Sequence, residues 1–241
     1  MAFNKKGVTG RQLSRRSMVQ GTALGLIFAF SGGAARSVTI AGGYRPRYFN
    51  DAEWSTLAAF VERLIPPDSE GPSALEAHVP EFIDRQMMTP YGFGDLWYLH
   101  GPFVPDAPAV AGYQHPYSPR EIYRLGFKAL NDAVYKRFNK HFSELKSDEQ
   151  DSILKDMEHG AIELTPVPSK LLFSQTLKNC KEGYFSDPIH GGNADMAAWK
   201  MIGFPGARAE FTDFVNLNGA PYPLGPVSIL GSAAHMKNGK N

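Results

Sequence analysis

The chain has 241 residues, enough for one domain with a substantial core, and 43% of them are hydrophobic and 20% charged, as in folded proteins. Its single cysteine, Cys180, excludes an internal disulfide, a four-cysteine iron–sulfur site and C-x-x-C-H haem attachment. When the five basic residues of the first 35 positions are set aside, 20 basic residues face 24 acidic ones. That charge gives no electrostatic reason to expect nucleic-acid binding.

The beginning of the chain has the layout of an export signal. A basic stretch ends in Ser14, Arg15 and Arg16, and an apolar run follows over residues 21–30. Small residues then lead to a cleavage site that we expect after Ala35. The adjacent arginines favour the twin-arginine route, which exports proteins that have already folded.

A permanent membrane anchor is the alternative interpretation of this region. Residues 17–35 carry no charge and are nearly long enough to span a bilayer. Their glycine, serine and glutamine content favours the signal instead. We therefore predict two parts, a twin-arginine signal over residues 1–35 and a helical domain with an irregular C-terminal tail over residues 36–241.

Apolar residues at helical spacing, together with capping signals, predict the helices of the body. In chain order they are expected over residues 50–65, 73–88, 118–141, 147–160, 168–182 and 193–202.

The ends of these helices carry recognisable signals. Three pairs have the spacing of a capping box, namely Asn50 with Glu53, Ser118 with Glu121, and Ser147 with Gln150. Pro80 lies inside the second predicted helix and is expected to kink or divide it. Two glycines are expected to stop helices, Gly183 and Gly203.

Two stretches are expected to be irregular. Residues 89–118 are rich in aromatic residues, glycine and proline, and a loop of that length usually has a function. Its aromatic residues, Trp97 and Tyr98 among them, are therefore candidate contacts for a partner. Residues 212–241 form a Gly/Pro-rich tail. Since no run alternates with period two, we predict a mainly α protein, a single irregular helical domain with long Gly/Pro/aromatic-rich loops.

Motifs for cofactor and catalytic chemistry are missing. The sequence contains no G-x-G-x-x-G, no phosphate-binding loop, no H-E-x-x-H and no G-x-S-x-G. No two histidines stand three or four residues apart, so a metal site would have to assemble from His100, His115 and His190 in the loops. Solvent-facing histidines are the favoured alternative, and Cys180 is expected to be a buried small hydrophobe rather than a catalytic thiol. We predict no catalytic, cofactor-binding or metal-binding residue.

Residues 184–206, YFSDPIHGGNADMAAWKMIGFPG, concentrate polar side chains around a Gly-Gly pair. We refer to them as the 184–206 segment. Three interpretations stay open, namely a tight structural loop that leads into a core helix, a surface for a partner, and an active site. The candidates for a partner surface are Asp187, Pro188, His190, Gly191, Gly192, Asn193, Trp199 and Phe204, together with Trp97 and Tyr98 of the aromatic loop.

Part of the sequence resembles a known family. FSDPIHGGN at residues 185–193, followed by Met196, Trp199 and IGFPG at residues 202–206, is similar to the characteristic stretch of the gluconate 2-dehydrogenase subunit 3 family. Upstream, LIPPD and FIDRQ resemble that family's first helices. The resemblance runs from about residue 54 to residue 206.

This resemblance implies a role within a complex. The family supplies the small, or gamma, subunit of periplasm-facing dehydrogenases for sugars and sugar acids. A large subunit carries FAD and oxidises the substrate, and a multihaem cytochrome c subunit passes electrons to the quinone pool. The small subunit commonly carries the twin-arginine signal for a large subunit that has none. The family often has Tyr where His190 stands, so the resemblance does not favour a catalytic role for His190.

The function that follows is a non-catalytic small subunit that escorts and stabilises an FAD subunit. The complex would act at the periplasmic face of the inner membrane. D-gluconate oxidation to 2-dehydro-D-gluconate is the first candidate reaction, and 2-ketogluconate and other sugars stay open as substrates. The chain itself is expected to hold no cofactor, with FAD and haem c on the partner subunits. Two alternatives stay open, an independent exported metal-dependent enzyme that uses Asp187 and His190, and a periplasmic binding or scaffold protein.

Overall fold

The computed structural model describes residues 43–104, 107–220 and 222–231. The predicted export signal lies outside these residues, with its Ser14, Arg15 and Arg16 and the cleavage site expected after Ala35. The last ten residues of the predicted tail lie outside them as well.

The described part of the chain contains seven α-helices and no β-strand, which confirms the prediction of a mainly α protein. The helices are α1 (Asp51–Leu64), α2 (Val79–Gln86), α3 (Pro90–Phe93), α4 (Pro119–Phe138), α5 (Ser147–His159), α6 (Ser169–Phe185) and α7 (Ala197–Met201). Within the three described ranges, no helix is both long and apolar enough to cross a bilayer.

Two of the predicted capping boxes form. The Asn50 side chain accepts a hydrogen bond from the backbone N–H of Glu53 at 2.9 Å, and the Glu53 carboxylate accepts one from the Asn50 N–H at 3.1 Å. Ser118 and Glu121 make the same exchange at the start of α4. Both helices therefore begin where the local sequence predicts.

The second predicted helix is shorter than expected. It begins at Val79 rather than at residue 73, because His78 adopts a left-handed conformation with φ of 59°. Pro80 falls in the first turn of α2. Backbone N–H groups in the first turn have no acceptor within the helix, so the absence of an N–H in proline costs no hydrogen bond there. Pro80 therefore helps to start this helix instead of kinking it.

The third predicted capping box, Ser147 with Gln150, does not form, and α5 is capped one residue earlier by half of such an exchange. The cap of α5 is Lys146, whose backbone N–H donates to the Glu149 carboxylate at 2.9 Å. The Gln150 side chain turns inward and donates to the backbone oxygen of Phe142 at 3.0 Å. The Gln150 side chain does not cap α5 because it is hydrogen-bonded to the buried Phe142 carbonyl of the preceding turn.

Helix α6 lies at the centre of the fold and packs against α2, α4 and α5. It continues through Gly183, which was predicted to stop it, and ends two residues later. A Cβ at position 183 would lie 2.7 Å from Cδ1 of Phe82 on α2, so glycine allows the two helices to approach closely. The role of Gly183 is contact between helices, not termination.

One hydrophobic core joins the helices, which supports a single domain for the described body. At its centre, the Phe60 ring of α1 has its centroid 5.9 to 6.4 Å from three other rings, those of Phe127, Phe142 and Phe173. Aromatic pairs in such tilted arrangements stabilise the core beyond the effect of the apolar area that they bury.

A buried carboxylate fixes the stretch before α1 to α2. Asp84 is fully buried, and its two oxygens accept hydrogen bonds from the Tyr44 hydroxyl at 2.7 Å and from three backbone N–H groups at 2.8 to 3.0 Å. The three N–H donors are Arg47, Tyr48 and Phe49. Four donors compensate for removing this carboxylate from water. We call this arrangement the Asp84 anchor.

The predicted long loop between residues 89 and 118 is mostly irregular but contains two short elements. These are the single turn α3 and a 3-10 turn at Ala109–Ala111. The Tyr91 hydroxyl of α3 accepts hydrogen bonds from Gln175 at 2.6 Å and from Asn179 at 2.8 Å. These bonds attach the start of the loop to the central helix α6.

Candidate functional site

The 184–206 segment begins where α6 ends. Asp187 caps the 3-10 turn Pro188–His190, and its Oδ1 accepts a hydrogen bond from the backbone N–H of Ile189 at 3.0 Å. Gly191 follows with φ of 105°, a conformation that strongly favours glycine. The turn predicted from Asp187 and Pro188 is therefore present.

The Asp187 carboxylate also holds a distant part of the chain. Its Oδ1 accepts a hydrogen bond from the Ser228 hydroxyl at 2.6 Å, and its Oδ2 accepts one from the Ile229 N–H at 2.9 Å. Burial raises the pKa of Asp187, but the hydrogen bonds from Ser228, Ile189 and Ile229 outweigh it and hold the pKa below its ordinary value. The group is an ionised structural acceptor at neutral pH.

The Gly191–Gly192 pair lies against the helices. A Cβ at Gly192 would lie 2.1 Å from the backbone oxygen of Gly183 in α6. A Cβ at Gly191 would lie 2.9 Å from Cδ of Arg85 in α2. Since real Cβ atoms do not approach backbone oxygen this closely, the position next to α6 accepts only glycine.

Asn193 is completely buried and stabilises the turn from inside. Its Nδ2 donates to the backbone oxygen of Ser186 at 2.9 Å, and its Oδ1 accepts from the N–H of Ala198 at 2.9 Å. The sequence predicted Asn193 as the cap of one helix over residues 193–202. A 3-10 turn, Ala194–Met196, comes first, and Asn193 reaches past it to the N–H of the second residue of α7.

Three residues of this turn have left-handed backbone conformations, Asn193, Asp195 and Met196, with φ between 48° and 56°. Such values are uncommon for residues other than glycine. Met196 is 1% exposed, so the surrounding core holds it in place. The path of the backbone is therefore imposed by packing as well as by local hydrogen bonds.

Trp199 closes the segment against α6. Its Nε1–H donates to the backbone oxygen of Phe185 at 2.8 Å, and its ring packs edge-on against Phe204 with centroids 5.1 Å apart. Gly203 ends α7 with φ of 68°, and the Phe204 N–H donates to the Trp199 oxygen at 2.8 Å. The predicted stop at Gly203 is confirmed.

The ten residues predicted for a partner surface differ in exposure. The buried ones are Gly191, Gly192, Asn193 and Trp199, and the half-buried ones are Asp187, Pro188 and Trp97. The exposed ones are His190, Tyr98 and Phe204. Most of the set therefore shapes the backbone, and three side chains are freely available for contact.

Trp97 and Tyr98 lie in a different part of the fold from the 184–206 segment. The Trp97 ring packs on Tyr91 and Tyr113, with centroids 5.9 and 4.6 Å away, whereas Tyr98 is 78% exposed. Across the described ranges, no hydrogen bond or aromatic contact joins these two residues to the segment. The structure does not bring the two predicted patches into one cluster.

The candidate residues for metal and thiol chemistry do not form a site in the described part. There, no three His, Cys, Asp or Glu side chains are placed to hold a metal ion. Burial lowers the pKa of His115. Burial also raises the pKa of the Cys180 thiol to about 12, which keeps it protonated and unreactive.

Sequence reasoning missed an exposed apolar stretch that begins at the last residue of α7. Nine large hydrophobic side chains between residues 201 and 230 are 38% to 69% exposed. They are Met201, Ile202, Phe204, Phe211, Val215, Leu217, Leu224, Ile229 and Leu230. The available signal was the scarcity of charge, since these residues share the stretch with only Arg208, Glu210 and Asp213.

Comparison with known families supplies the context for this geometry. Residues 51–206 match the family described as Gluconate 2-dehydrogenase subunit 3. The chain belongs to the gluconate 2-dehydrogenase subunit 3 family. The match includes all seven α-helices and the 184–206 segment, and it ends at residue 206, within the exposed apolar stretch. Comparison with curated proteins and with solved structures gives no significant match.

Membership of the subunit 3 family bears on the three interpretations of the 184–206 segment. The family is named for one subunit of a multi-subunit dehydrogenase, which favours a surface for a partner. The polar groups of Asp187 and Asn193 already bind atoms of this chain. The segment therefore combines a structural interior with a small exposed face.

Proposed function

We propose that this chain is the non-catalytic small subunit of an FAD-dependent sugar-acid dehydrogenase at the periplasmic face of the inner membrane. Gluconate 2-dehydrogenase, which converts D-gluconate to 2-dehydro-D-gluconate, is the first candidate. The large subunit would carry FAD, and a cytochrome c subunit would take the electrons to quinone. The observation that carries this proposal is the family match over residues 51–206.

The chemistry of the 184–206 segment supports a structural role for this subunit. Catalysis by a carboxylate requires a group within hydrogen-bonding reach of a substrate proton. Asp187 is instead occupied by Ser228, Ile189 and Ile229. His190 is exposed, and its electrostatic interaction with Asp187 lowers the pKa of that carboxyl, so it favours the ionised acceptor that holds the loop.

The predicted twin-arginine signal supports an escort role. This route carries folded proteins, and the chain has a buried core that joins its helices. This chain has no cofactor motif of its own that would require export in the folded state. The signal is explained if it also exports a folded flavoprotein that is bound to the chain. We therefore propose that the small subunit binds the FAD subunit in the cytoplasm and that the two are exported together.

The test is to change Arg15 and Arg16 together to Lys in cells that produce both subunits. The flavin-bearing subunit is expected to stay in the cytoplasm, and gluconate-dependent dye reduction is expected to disappear from the periplasmic fraction. Arg11→Lys is the matched control, since it changes a basic residue of the same leader outside the pair. Normal export of the FAD subunit with the double variant would refute the escort role.

A further inference from the structure

The chain after the 184–206 segment forms a closed loop. The Ala207 N–H donates to the Val227 oxygen at 2.7 Å, and the Val227 N–H donates to the Pro205 oxygen at 3.2 Å. Gly206 makes the crossing possible, because a Cβ there would lie 2.2 Å from the Val227 oxygen. We call residues 207–227, apart from the undescribed residue 221, the C-terminal loop.

The base of the C-terminal loop is fixed to the 184–206 segment. Ser228, directly after the loop, is 2% exposed and donates its hydroxyl hydrogen to Asp187. Ile229 donates its N–H to the other oxygen of the same carboxylate. The loop therefore leaves the segment at Gly206 and returns to it at Asp187.

The C-terminal loop also has packing of its own. The Arg208 guanidinium lies over the Tyr222 ring, 5.6 Å from its centroid, and donates to the Gly225 oxygen at 2.6 Å. The rings of Phe211 and Phe214 lie 5.6 and 4.9 Å from the same tyrosine ring. A loop that is ordered in this way loses less conformational entropy when it binds a partner.

This ordered loop nevertheless presents apolar side chains to solvent. The nine exposed side chains named above, from Met201 to Leu230, lie within it or on the chain just before and after it. We call them the C-terminal apolar surface. Soluble proteins rarely leave extended apolar surfaces uncovered, and the centres of protein interfaces are poor in charged residues.

We propose that the C-terminal apolar surface binds the FAD-containing subunit and determines which FAD subunit this chain accepts. This inference rests on the proposed function, which supplies the partner. If a partner covers all nine side chains at once and each adds about 100 Å² of contact, the total is roughly 900 Å², against ~800 Å² per partner in a standard interface. A partner that covers the whole set would therefore make an interface of standard size.

The position of the family match explains the role in specificity. The match ends at residue 206, so the family pattern includes the attachment point, Asp187, but not the loop. The matched segment thus holds in place a surface of which six side chains, from Phe211 to Leu230, lie outside the match. This is the arrangement expected of a subunit family whose members each serve their own large subunit.

The test uses the full chain produced together with its FAD subunit. In the variant Val215→Ser/Leu217→Ser/Leu224→Ser, three side chains that are more than half exposed become polar. Tyr135→Ser on α4 is the control, since Tyr135 is 51% exposed and lies outside the C-terminal apolar surface. The amount of FAD subunit that purifies with the tagged small subunit is measured from flavin absorbance, and mass spectrometry identifies it. Thermal unfolding checks that each variant is folded.

The expected result is about a tenfold or larger loss of bound FAD subunit for the triple variant, with little change for the control. Equal binding by wild type and triple variant would overturn this inference and leave the proposed function intact. If the wild type itself binds no FAD subunit, the proposed function fails first. If size-exclusion chromatography shows wild-type dimers that the triple variant loses while the FAD subunit stays bound, a second copy is the occupant and the inference is overturned.

Discussion

Asp187 and Ser228 join two parts of the chain that lie 41 residues apart, through a hydrogen bond of 2.6 Å from the Ser228 hydroxyl to the Asp187 carboxylate. The same carboxylate accepts N–H groups from Ile189 on one side and Ile229 on the other. One side chain thereby caps a turn inside the family region and holds the base of the C-terminal loop.

The first prediction concerns the charge of Asp187. Asp187→Asn is expected to lower the free energy of unfolding by about 1–2 kcal/mol at pH 7, because the amide accepts fewer of these hydrogen bonds. Because the folded-state pKa of Asp187 lies below its ordinary value, the carboxylate stabilises the fold fully above about pH 4 and loses that effect as pH falls through the lowered pKa. Thermal unfolding of both proteins should show their difference narrowing below about pH 4.

The control for this experiment is Asp195→Asn. Asp195 is exposed and has φ of 54°, which asparagine also tolerates, so a change of at most about 0.5 kcal/mol is expected. A difference between wild type and Asp187→Asn that stays constant down to pH 3 would contradict the role of the carboxylate charge.

The second prediction concerns Gly192. Gly192→Ala is expected to destabilise the protein by about 3 kcal/mol or more, because the new methyl group would lie 2.1 Å from the Gly183 oxygen and force the backbone of α6 or the turn to move. Gly225→Ala is the matched control, since a Cβ there meets no atom within 4 Å. Urea unfolding measures both, and a small effect at Gly192 would show that the turn relaxes easily.

The third prediction concerns His190. It is exposed at the end of a 3-10 turn, so His190→Tyr is expected to leave turnover by the assembled complex within about twofold of wild type. Steady-state oxidation of D-gluconate by the purified complex provides the measurement. A large fall in kcat, with the amount of assembled complex unchanged, would restore the interpretation of the segment as an active site.

The fourth prediction concerns the Asp84 anchor. Asp84→Ala leaves the Tyr44 hydroxyl and three N–H groups, two of them on the buried residues Tyr48 and Phe49, without their acceptor, and we expect a loss of about 3 kcal/mol or more in unfolding free energy. Asp132→Ala removes an exposed carboxylate paired with Lys128 and should cost less than about 1 kcal/mol. Similar losses for the two variants in urea unfolding would show that the anchor contributes little.

Local signals in the sequence were sufficient for several elements of this fold. The boxes at Asn50 and Ser118 involve residues three positions apart, and the stop at Gly203 depends on one turn of helix. Gly183 was misinterpreted because its role depends on Phe82, a residue of another helix. A glycine that ends a helix and one that allows close packing look identical in a single sequence.

The same limit applies to the candidate site. The turn at Asp187 and Pro188 could be predicted, whereas the bond from Asp187 to Ser228 depends on the loop closure that places Val227 beside Gly206. Asp84 carried no local signal either, because its donors lie 35 to 40 residues earlier in the chain. Contacts between distant segments decide which polar residues remain available to a partner.

The position of the Asp84 anchor has a consequence for maturation. If the export signal is removed after Ala35, as the sequence predicts, the cut falls ahead of Tyr44, the first residue that Asp84 binds. Proteolysis would then break none of the bonds that hold the start of the folded body to α2. The precursor made in the cytoplasm and the processed chain would share this anchoring, so a partner bound before transport would find it unchanged after the signal is gone.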